Sequence, residues 1–281
     1  MRQLYSGNGP MKVFWMFSGG ASSLKATFDD PNNTSNGGKL YYNIGAYHDK
    51  KDAKGVQLCK AHDIPEFFLS RRDFYRQHEL SHDDPDSARR YYGMLTERID
   101  REFSPDIICL SGFMRIVYDP LLGYMPILNV HPADLAILAG PNGERLDTTG
   151  LSNEGVRDYI RMGYRRKLRG DNAVFDAIME GETFTCSTVH ILTEEIDGGP
   201  ILAQSKRFSI GDGIPGMVAD PEGEQFIRKY AKALQERMKE EGDGPAYLAA
   251  LEMISRGHLA TEDGSVFFGD NELPYCGVRL K

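Results

Sequence analysis

Polar side chains stand at the ends of two apolar, strand-like runs of this chain. Asn129 and His131 close the first run, and Thr188 and His190 lie in a later run that leads to Asp197. Because alternate residues of a strand share a face, each pair points to one side of its strand. An amide and an imidazole can stabilise an oxyanion, and a carboxylate near an imidazole can move a proton. These residues indicate acid–base catalysis at a developing oxyanion; the alternative is a set of strand ends and turns that only satisfy loop backbone.

A third polar segment, Ser18–Ser23, follows the apolar run 12–17 and precedes a predicted helix. Small residues let the backbone approach a ligand, and the first amides of a helix can bind a phosphate. The segment matches neither the dinucleotide-binding fingerprint nor the P-loop. Phosphate binding and a plain tight turn are therefore equal alternatives for it.

The elements that carry these segments alternate along the first half of the chain. Apolar runs predict strands at 12–17, 40–47, 66–69, 106–110 and 127–130, and helices are predicted at 53–62 and 88–103. Strand–helix alternation makes a parallel sheet with right-handed crossovers. The predicted fold class is α/β, a Rossmann-like, mostly parallel twisted sheet flanked by helices.

The second half predicts a helix at 173–179, strands at 183–192 and 201–208, a helix through 227–238 and a hairpin around Asp263-Gly264. No linker or repeat interrupts the pattern. We therefore expect one domain over 1–281, with a Rossmann-like half at 11–128 and a catalytic and C-terminal half at 129–281.

Composition excludes several classes of protein and partner. The chain is 41% hydrophobic and 26% charged, with a net charge of −8, which argues against disorder and against binding to a nucleic acid backbone. Its four cysteines are far apart, so neither a cysteine zinc site nor a redox pair is indicated. No apolar segment is long enough to span a membrane, and free cysteines favour a reducing, cytoplasmic location.

In their order along the chain, these motifs resemble those of the folate-dependent formyltransferases. The resemblance covers about 12–277 and rests on five segments: Ser18–Leu24, Leu110–Ile116, Asn129–Pro132, Thr188–His190 and Glu195–Pro200. Among them, Asn-x-His combined with Asp-Gly-Gly-Pro is the most specific. The branch of the family that acts on glycinamide ribonucleotide is the most similar.

The resemblance implies the formyltransferase fold and transfer of a formyl group from 10-formyltetrahydrofolate to a small amine, with glycinamide ribonucleotide of purine biosynthesis as the leading acceptor. Asn129 and His131 would stabilise the oxyanion, and Asp197 would organise proton transfer through water, with Thr188 and His190 as supports. The resemblance assigns the remaining contacts to two groups: Gly19, Gly20, Ala21, Ser22 and Ser23 for the acceptor, and Met114, Arg115, Val117, Glu195 and Ile196 for the folate.

The same resemblance requires only the folate co-substrate and the amine as partners. It implies no metal, no nucleic acid and no membrane, and it leaves a homodimer open.

Two departures from the family pattern bear on the acceptor. Ala21 and Ser23 replace the usual glycine and asparagine of the phosphate loop, and a methyl group at Ala21 disfavours the torsion that glycine allows. An insertion of roughly thirty residues, near 138–169, exceeds ordinary loop lengths. It is interpreted either as a lid or binding surface or as a solvated charged helix. An acceptor other than glycinamide ribonucleotide, with a phosphate or a nucleotide, is therefore an alternative.

Other functions remain as alternatives. His78, Glu79 and His82 match the H-E-x-x-H pattern of zinc metallopeptidases, although a polar context and the nearby Pro85 disfavour a buried helix. A formyltetrahydrofolate hydrolase would resemble this chain but usually carries an additional N-terminal domain. A folate-binding relative without activity would not need Asn129 together with Asp197.

Overall fold

The computed structural model describes residues 2–82, 84–211, 214 and 221–281. Within that part the chain forms two compact units. The N-terminal unit comprises Leu4–Asn129 with Leu251–Gly257. The C-terminal unit comprises Val130–Ala250 and His258–Lys281, together with the strand Arg2–Gln3.

The N-terminal unit is built on parallel strands, as the alternating pattern predicts. Five strands lie side by side in the order Ile127–His131, Ile107–Leu110, Met11–Phe17, Tyr41–His48 and Glu66–Phe68, and only the first three residues of Ile127–His131 belong to this unit. Its helices are Ser22–Thr27, Gly55–Ala61, Arg71–Gln77, Pro85–Phe103 and Leu121–Tyr124, with a 3₁₀ turn at Thr34–Asn36.

The central strand Met11–Phe17 illustrates why a continuous apolar run forms here. Val13, Trp15 and Phe17 on one face and Phe14 and Met16 on the other are all fully buried. A strand covered on both faces needs apolar residues at every position rather than at alternate ones.

The long helix Pro85–Phe103 begins and ends with ordinary capping chemistry. The Asp84 side chain accepts a hydrogen bond from the Asp86 amide, and proline occupies the first helical turn. The helix ends at Ser104, whose backbone is left-handed with φ 45°.

In the C-terminal unit, strand Thr188–Ile191 pairs antiparallel with Ile201–Gln204, which in turn pairs parallel with Val278–Arg279. The nine residues between the first two strands, 192–200, are too few for the crossover that a parallel pair needs. Each predicted long strand is interrupted, because Phe184–Thr185 pairs separately with Phe208–Ser209. The helices Ala173–Met179 and Pro221–Met238 lie in this unit, with a π-helical turn at Lys239–Asp243. The helix Gly244–Ser255 begins in this unit, and its residues from Leu251 onward belong to the N-terminal unit.

The insertion is folded. Strands Ile137–Ala139, Arg145–Asp147 and Arg165–Arg166 form a small antiparallel sheet with the first of them in the middle. The helix Asn153–Arg161 connects the last two strands. Leu138 and Val156 are completely buried, so this segment is more than a solvated charged helix.

The predicted hairpin is present as strands Leu259–Glu262 and Ser265–Phe268. Asp263 and Gly264 form its turn with φ 50° and 80°, the left-handed values that favour the Asp-Gly pair. Strands Arg2–Gln3 and Asn271–Glu272 extend it on either side.

None of the helices in the described part of the chain has the length and apolar character needed to cross a bilayer.

Candidate active site

Asp197 lies in the tight loop that connects the antiparallel strands of the C-terminal unit. Its own backbone is left-handed, with φ 51°. A Cβ at Gly199 would lie 1.9 Å from the carbonyl oxygen of Ile191, so glycine is the one residue that lets the loop close there. The loop therefore holds the Asp197 side chain in a nearly buried position, with 9% of it exposed.

The carboxylate of Asp197 lies between two imidazole rings. Its Oδ2 is 3.4 Å from Nδ1 of His131, and its Oδ1 is 3.5 Å from Nε2 of His190. The backbone N–H of Gly170 donates a 2.9 Å hydrogen bond to Oδ2. The structure thus brings together Asp197, His131 and His190, three residues that sequence reasoning selected from separate motifs.

The other nitrogen of each ring faces a backbone carbonyl. Nε2 of His131 lies 2.8 Å from the oxygen of Leu168, and Nδ1 of His190 lies 3.1 Å from the oxygen of Ile191. Because a carbonyl can only accept, these nitrogens carry the proton when the rings are neutral. The second nitrogen of each ring faces the Asp197 carboxylate, to which it donates whenever it carries a proton.

The environment separates the charge states of these groups. Burial lowers the pKa of His131 to about 4, although the charge of Asp197 opposes this shift. Burial alone would raise the pKa of Asp197, but the hydrogen bond from His190, the charge of His131 and the Gly170 amide together hold it below its ordinary value. At neutral pH the carboxylate is ionised and His131 is neutral. In these charge states both groups can accept a proton, and each is a weaker base than usual because its pKa is lowered.

Arg166 and Gly170 hold this group in place, and sequence reasoning did not select either as a site residue. Nη1 of Arg166 donates to the backbone carbonyl of Asp197, and its Nε donates to the Tyr275 hydroxyl at 3.1 Å. Both residues belong to the end of the insertion or follow it directly. A long insertion that begins beside His131 was the only sequence signal that pointed to them.

Thr188 supports the segment that follows His131. Its hydroxyl donates to the carbonyl of Ala133 at 2.6 Å and accepts from Nε2 of Gln204 at 3.0 Å. The same Gln204 amide donates to the fully buried Asp134 at 2.7 Å. Thr188 therefore acts on the backbone after His131.

Asn129 stands two residues before His131 in the strand Ile127–His131, and it is the last residue of the N-terminal unit. It is half-buried and pairs in register with Leu110. Strand alternation gives its side chain the same direction as that of His131. Its role as an oxyanion donor stays a prediction.

The loop Ser18–Ser23 has open space beside its two glycines, as expected of a backbone that a ligand can approach. A Cβ built on Gly19 or Gly20 would meet no atom within 4 Å, and neither residue has a positive φ. Nothing in the described part of the N-terminal unit thus explains glycine at these two positions. Ala21 adopts the left-handed conformation, with φ 54° and ψ 49°, which costs a residue with a side chain roughly 1–2 kcal/mol.

The side chains of Ser18 and Ser111 fix this loop by accepting hydrogen bonds from backbone amides. The Ser23 amide donates to Oγ of Ser111 at 3.0 Å, and the Met114 amide donates to Oγ of Ser18 at the same distance. The Ser23 hydroxyl is buried and has no hydrogen-bond partner among the described residues. Ser22 begins the short helix Ser22–Thr27. The contacts of the loop with an acceptor stay a prediction.

The residues predicted to contact the folate differ in accessibility. Met114 and Ile196 are 60% and 53% exposed, whereas Val117 is buried, so the side chain of Val117 offers a ligand little surface. Arg115 donates to the carboxylate of Asp49 at 2.9 Å, which raises the pKa of its guanidinium. Glu195 forms an exposed 2.6 Å ion pair with Arg169.

The H-E-x-x-H segment does not form a zinc-binding helix. The helix Arg71–Gln77 ends before His78, and Glu79 has φ 53°. His78 packs on Phe74 and His82 on Tyr75. Nor do the described residues contain any group of three metal-binding side chains.

Comparison with known proteins finds that the chain is similar to enzymes that transfer formyl groups. Residues 11–142 match the formyl transferase family. The chain is 24% identical over 269 residues to phosphoribosylglycinamide formyltransferase of Escherichia coli, a match that covers 95% of this chain and 98% of that protein. It is also 24% identical over 249 residues to the trifunctional purine biosynthetic protein adenosine-3 of Gallus gallus, and it spans 19% of that relative's length.

The fold has the same relatives. The solved phosphoribosylglycinamide formyltransferase of Coxiella burnetii superposes with a TM-score of 0.65 at 22% identity, covering 97% of this chain and all of that one. The predicted α/β fold class is thereby confirmed. Over residues 11–142 the chain is similar to the formyl transferase family, and the zinc peptidase alternative has no support.

Proposed function

We propose that this protein transfers the formyl group of 10-formyltetrahydrofolate to the amine of glycinamide ribonucleotide, a step of purine biosynthesis. The observation that carries the proposal is the ionised carboxylate of Asp197, held by His131, His190 and the Gly170 amide in a chain similar to the formyl transferase family. The relatives named for phosphoribosylglycinamide support this choice of acceptor.

The reaction needs one bond formed, one broken and one proton moved. The acceptor nitrogen attacks the formyl carbon, and the carbonyl oxygen becomes an oxyanion. The new C–N bond stays, the bond from carbon to folate N10 breaks, and the proton lost by the amine ends on N10. Catalysis therefore requires a donor for the oxyanion and a group that carries the proton.

Asn129 is proposed as the principal oxyanion donor, because an amide donates without changing its charge. Asp197 is proposed to take the amine proton, through water, and to return it to the leaving nitrogen. His131 would share that proton through the nitrogen that faces Asp197. For His131 also to donate to the oxyanion, its Nε2 would have to leave the carbonyl of Leu168.

The loop Gly19–Ser23 is proposed to receive the phosphate of the acceptor through backbone amides. The open space above Gly19 and Gly20 supports this assignment. The left-handed Ala21 shows that the loop keeps its turn without the usual glycine. The folate is proposed to contact the accessible side chains of Met114 and Ile196, along with Arg115, Glu195 and the backbone at Val117.

A panel of amines tests the choice of acceptor. Purified protein is mixed with 10-formyltetrahydrofolate and glycinamide ribonucleotide, other phosphorylated amines, or no amine, and folate product is followed by absorbance. We expect product only with glycinamide ribonucleotide. If folate product forms only with a different phosphorylated amine, that amine is the acceptor and the reaction is still formyl transfer. If as much folate product forms without any amine as with glycinamide ribonucleotide, the protein is a hydrolase.

We infer a cytoplasmic location and treat a homodimer as open. All four cysteines, Cys59, Cys109, Cys186 and Cys276, are free and buried, as is usual in a reducing compartment. Fractionation of cells and analytical ultracentrifugation of the purified protein test these two points separately.

A further inference from the structure

A cavity of about 430 Å³ lies within the C-terminal unit, and every residue that lines it belongs to that unit. The insertion forms one wall, and the hairpin turn with residues 272–275 forms another. Glu195, Gly198 and Pro200 bring the loop of Asp197 to its edge. This volume is within the range of small-molecule sites.

Two direct bonds hold the walls of this cavity at a fixed separation. Nδ2 of Asn153 donates to the carbonyl of Leu273 at 2.7 Å, and Nη1 of Arg157 lies 2.8 Å from the Glu272 carboxylate. Both bonds join the helix Asn153–Arg161 of the insertion to the segment after the hairpin. The cavity is therefore already formed without a ligand.

Arg166 brings a buried positive charge to the cavity. It is 8% exposed, and its Nε donates to the Tyr275 hydroxyl and its Nη1 to the backbone carbonyl of Asp197, both of which are uncharged groups. In the described part of the chain no carboxylate forms an ion pair with this guanidinium. A buried charge without a counter-charge is unfavourable, so an anion in the cavity would stabilise it.

Arg165 adds a second cation at the same cavity. Its Nη1 donates to the carbonyls of Ile160 and Tyr164, and it too forms no ion pair with any carboxylate of the described residues. The lining contains three acidic residues, of which Glu272 pairs with Arg157 and Glu195 with Arg169. The third, Asp263, lies in the hairpin turn and forms no ion pair with a described basic residue. Two unpaired arginines against one unpaired carboxylate leave a net positive charge for a ligand.

The rest of the lining is aromatic or apolar. Tyr164 and Tyr275 line the cavity, together with Leu138, Ile160 and Val266. Such side chains favour a flat, weakly polar part of a ligand.

We propose that this cavity binds a small molecule in which a planar or sugar ring carries a carboxylate or a phosphate. The anion would pair with Arg165 and Arg166, and the ring would lie against the tyrosines. Two compounds of the proposed reaction, on which this assignment rests, contain this chemistry: the aminobenzoylglutamate part of the folate and the phosphorylated sugar of the acceptor. Binding of the second would move the acceptor phosphate from the loop Gly19–Ser23 to this cavity. Since Arg166 also holds the backbone of Asp197, a ligand here would be linked to the catalytic loop.

Calorimetry with two probes tests the site without any turnover, so its result is independent of formyl transfer. The probes are p-aminobenzoylglutamate and ribose 5-phosphate, added to wild-type protein and to two variants. Arg165→Gln removes an exposed cation of the cavity, and Ser265→Trp fills the cavity from the hairpin. The exposed Arg161, which pairs with Asp158 and does not line the cavity, provides the matched control Arg161→Gln.

We expect one of the two probes to bind with a dissociation constant between micromolar and millimolar. The probe that binds shows whether the cavity takes part of the folate or part of the acceptor. Losing a charged hydrogen bond typically weakens binding about 10- to 100-fold, and this is the change expected in Arg165→Gln. Ser265→Trp should abolish binding, and Arg161→Gln should leave it within about twofold of wild type. Failure of both probes to bind, or binding that is equal in wild type, Arg165→Gln and Ser265→Trp, would overturn the proposal.

Discussion

The charge of one side chain, Asp197, depends on the three groups that contact it. Burial would favour a neutral carboxyl, yet two imidazoles and one amide stabilise the ionised form. The neutral state of His131 follows from the same burial. A base that is ionised at neutral pH and a ring that can share its proton are thus produced by contacts within one unit.

Replacing Asn129 by alanine should remove the proposed oxyanion donor. Loss of one such donor costs a factor of roughly 100 to 1,000 in turnover. We expect that fall in kcat in a steady-state assay, with folate binding within a few-fold of wild type by calorimetry. Asn142→Ala, in the exposed turn of the insertion where its side chain bonds Glu144, is the control and should keep full activity. A rate in Asn129→Ala within threefold of wild type would exclude the role.

The side chains of the site were easier to predict than their supports. Asn129, His131 and Asp197 stand in short motifs whose residue types suggest chemistry. Arg166 acts through a hydrogen bond to a backbone carbonyl 31 positions away in sequence, and Gly170 acts through its amide. Backbone contacts of this kind depend on tertiary structure, and no pattern of residues in the sequence predicts them.

At the level of elements, the loop Ser18–Ser23, between the strand Met11–Phe17 and the helix Ser22–Thr27, allows a direct test of phosphate binding. A methyl group at Gly20 meets no protein atom and requires no change of backbone, so Gly20→Ala should keep its melting temperature. If the loop receives a phosphate, the same methyl group should obstruct it by about 1–3 kcal/mol, and KM for the acceptor should rise roughly 10- to 100-fold. The measurements are a thermal melt and the separate KM values for acceptor and folate.

Gly9→Ala is the matched control for this variant, because a Cβ at Gly9 also meets nothing within 4 Å and lies outside the loop. Its KM values should equal those of wild type. An unchanged acceptor KM in Gly20→Ala would remove the loop from the binding site.

The π-helical turn Lys239–Asp243 contains a buried acid, Asp243, whose effect on the free energy of folding depends on pH. Asp243 accepts a 2.6 Å hydrogen bond from Ser187, and burial raises its pKa to about 6. The unfolded chain, with an ordinary pKa near 4, loses the proton first as pH rises. Folding stability therefore falls between about pH 4 and pH 6, by about 3 kcal/mol at most, and the loss is complete above pH 6.

Asp243→Asn keeps an acceptor for Ser187 and removes the charge. We expect a higher free energy of unfolding than wild type in urea at pH 8, and a difference that shrinks from pH 7 to pH 5. The exposed Asp158→Asn serves as the control and should show no such trend. A difference that is constant with pH, or a variant less stable at pH 8, would contradict the buried charge.

The elements of the parallel half were predictable because each follows a local pattern. Buried strands such as Ile107–Leu110 are continuous apolar runs, and Pro85–Phe103 shows helical periodicity. The short helix Arg71–Gln77 and the sheet of the insertion were not predicted, since the helix and two of the three strands, Arg145–Asp147 and Arg165–Arg166, are rich in charged residues. Strand Arg165–Arg166, for example, has no apolar residue and is fixed by pairing with Ile137–Ala139.

At the scale of the whole molecule, the net charge is −8 while the proposed substrates are anions. Long-range attraction therefore cannot supply their binding, and local groups must do so. The backbone amides of the loop Gly19–Ser23 and the side chains of Arg165 and Arg166 are proposed to be such groups. Binding through them should depend only weakly on bulk charge and strongly on single residues.

Conversion of 10-formyltetrahydrofolate in the presence of glycinamide ribonucleotide, followed by mass spectrometry for the N-formyl product and for free formate, is the most direct measurement. For wild type we predict one formylated amine for each folate consumed and no formate above background. Asp197→Asn, with an unchanged circular dichroism spectrum, should form product at least about a hundredfold more slowly. Product formation by Asp197→Asn at a rate near that of wild type, or formate released in place of formylated amine, would contradict formyl transfer through this carboxylate.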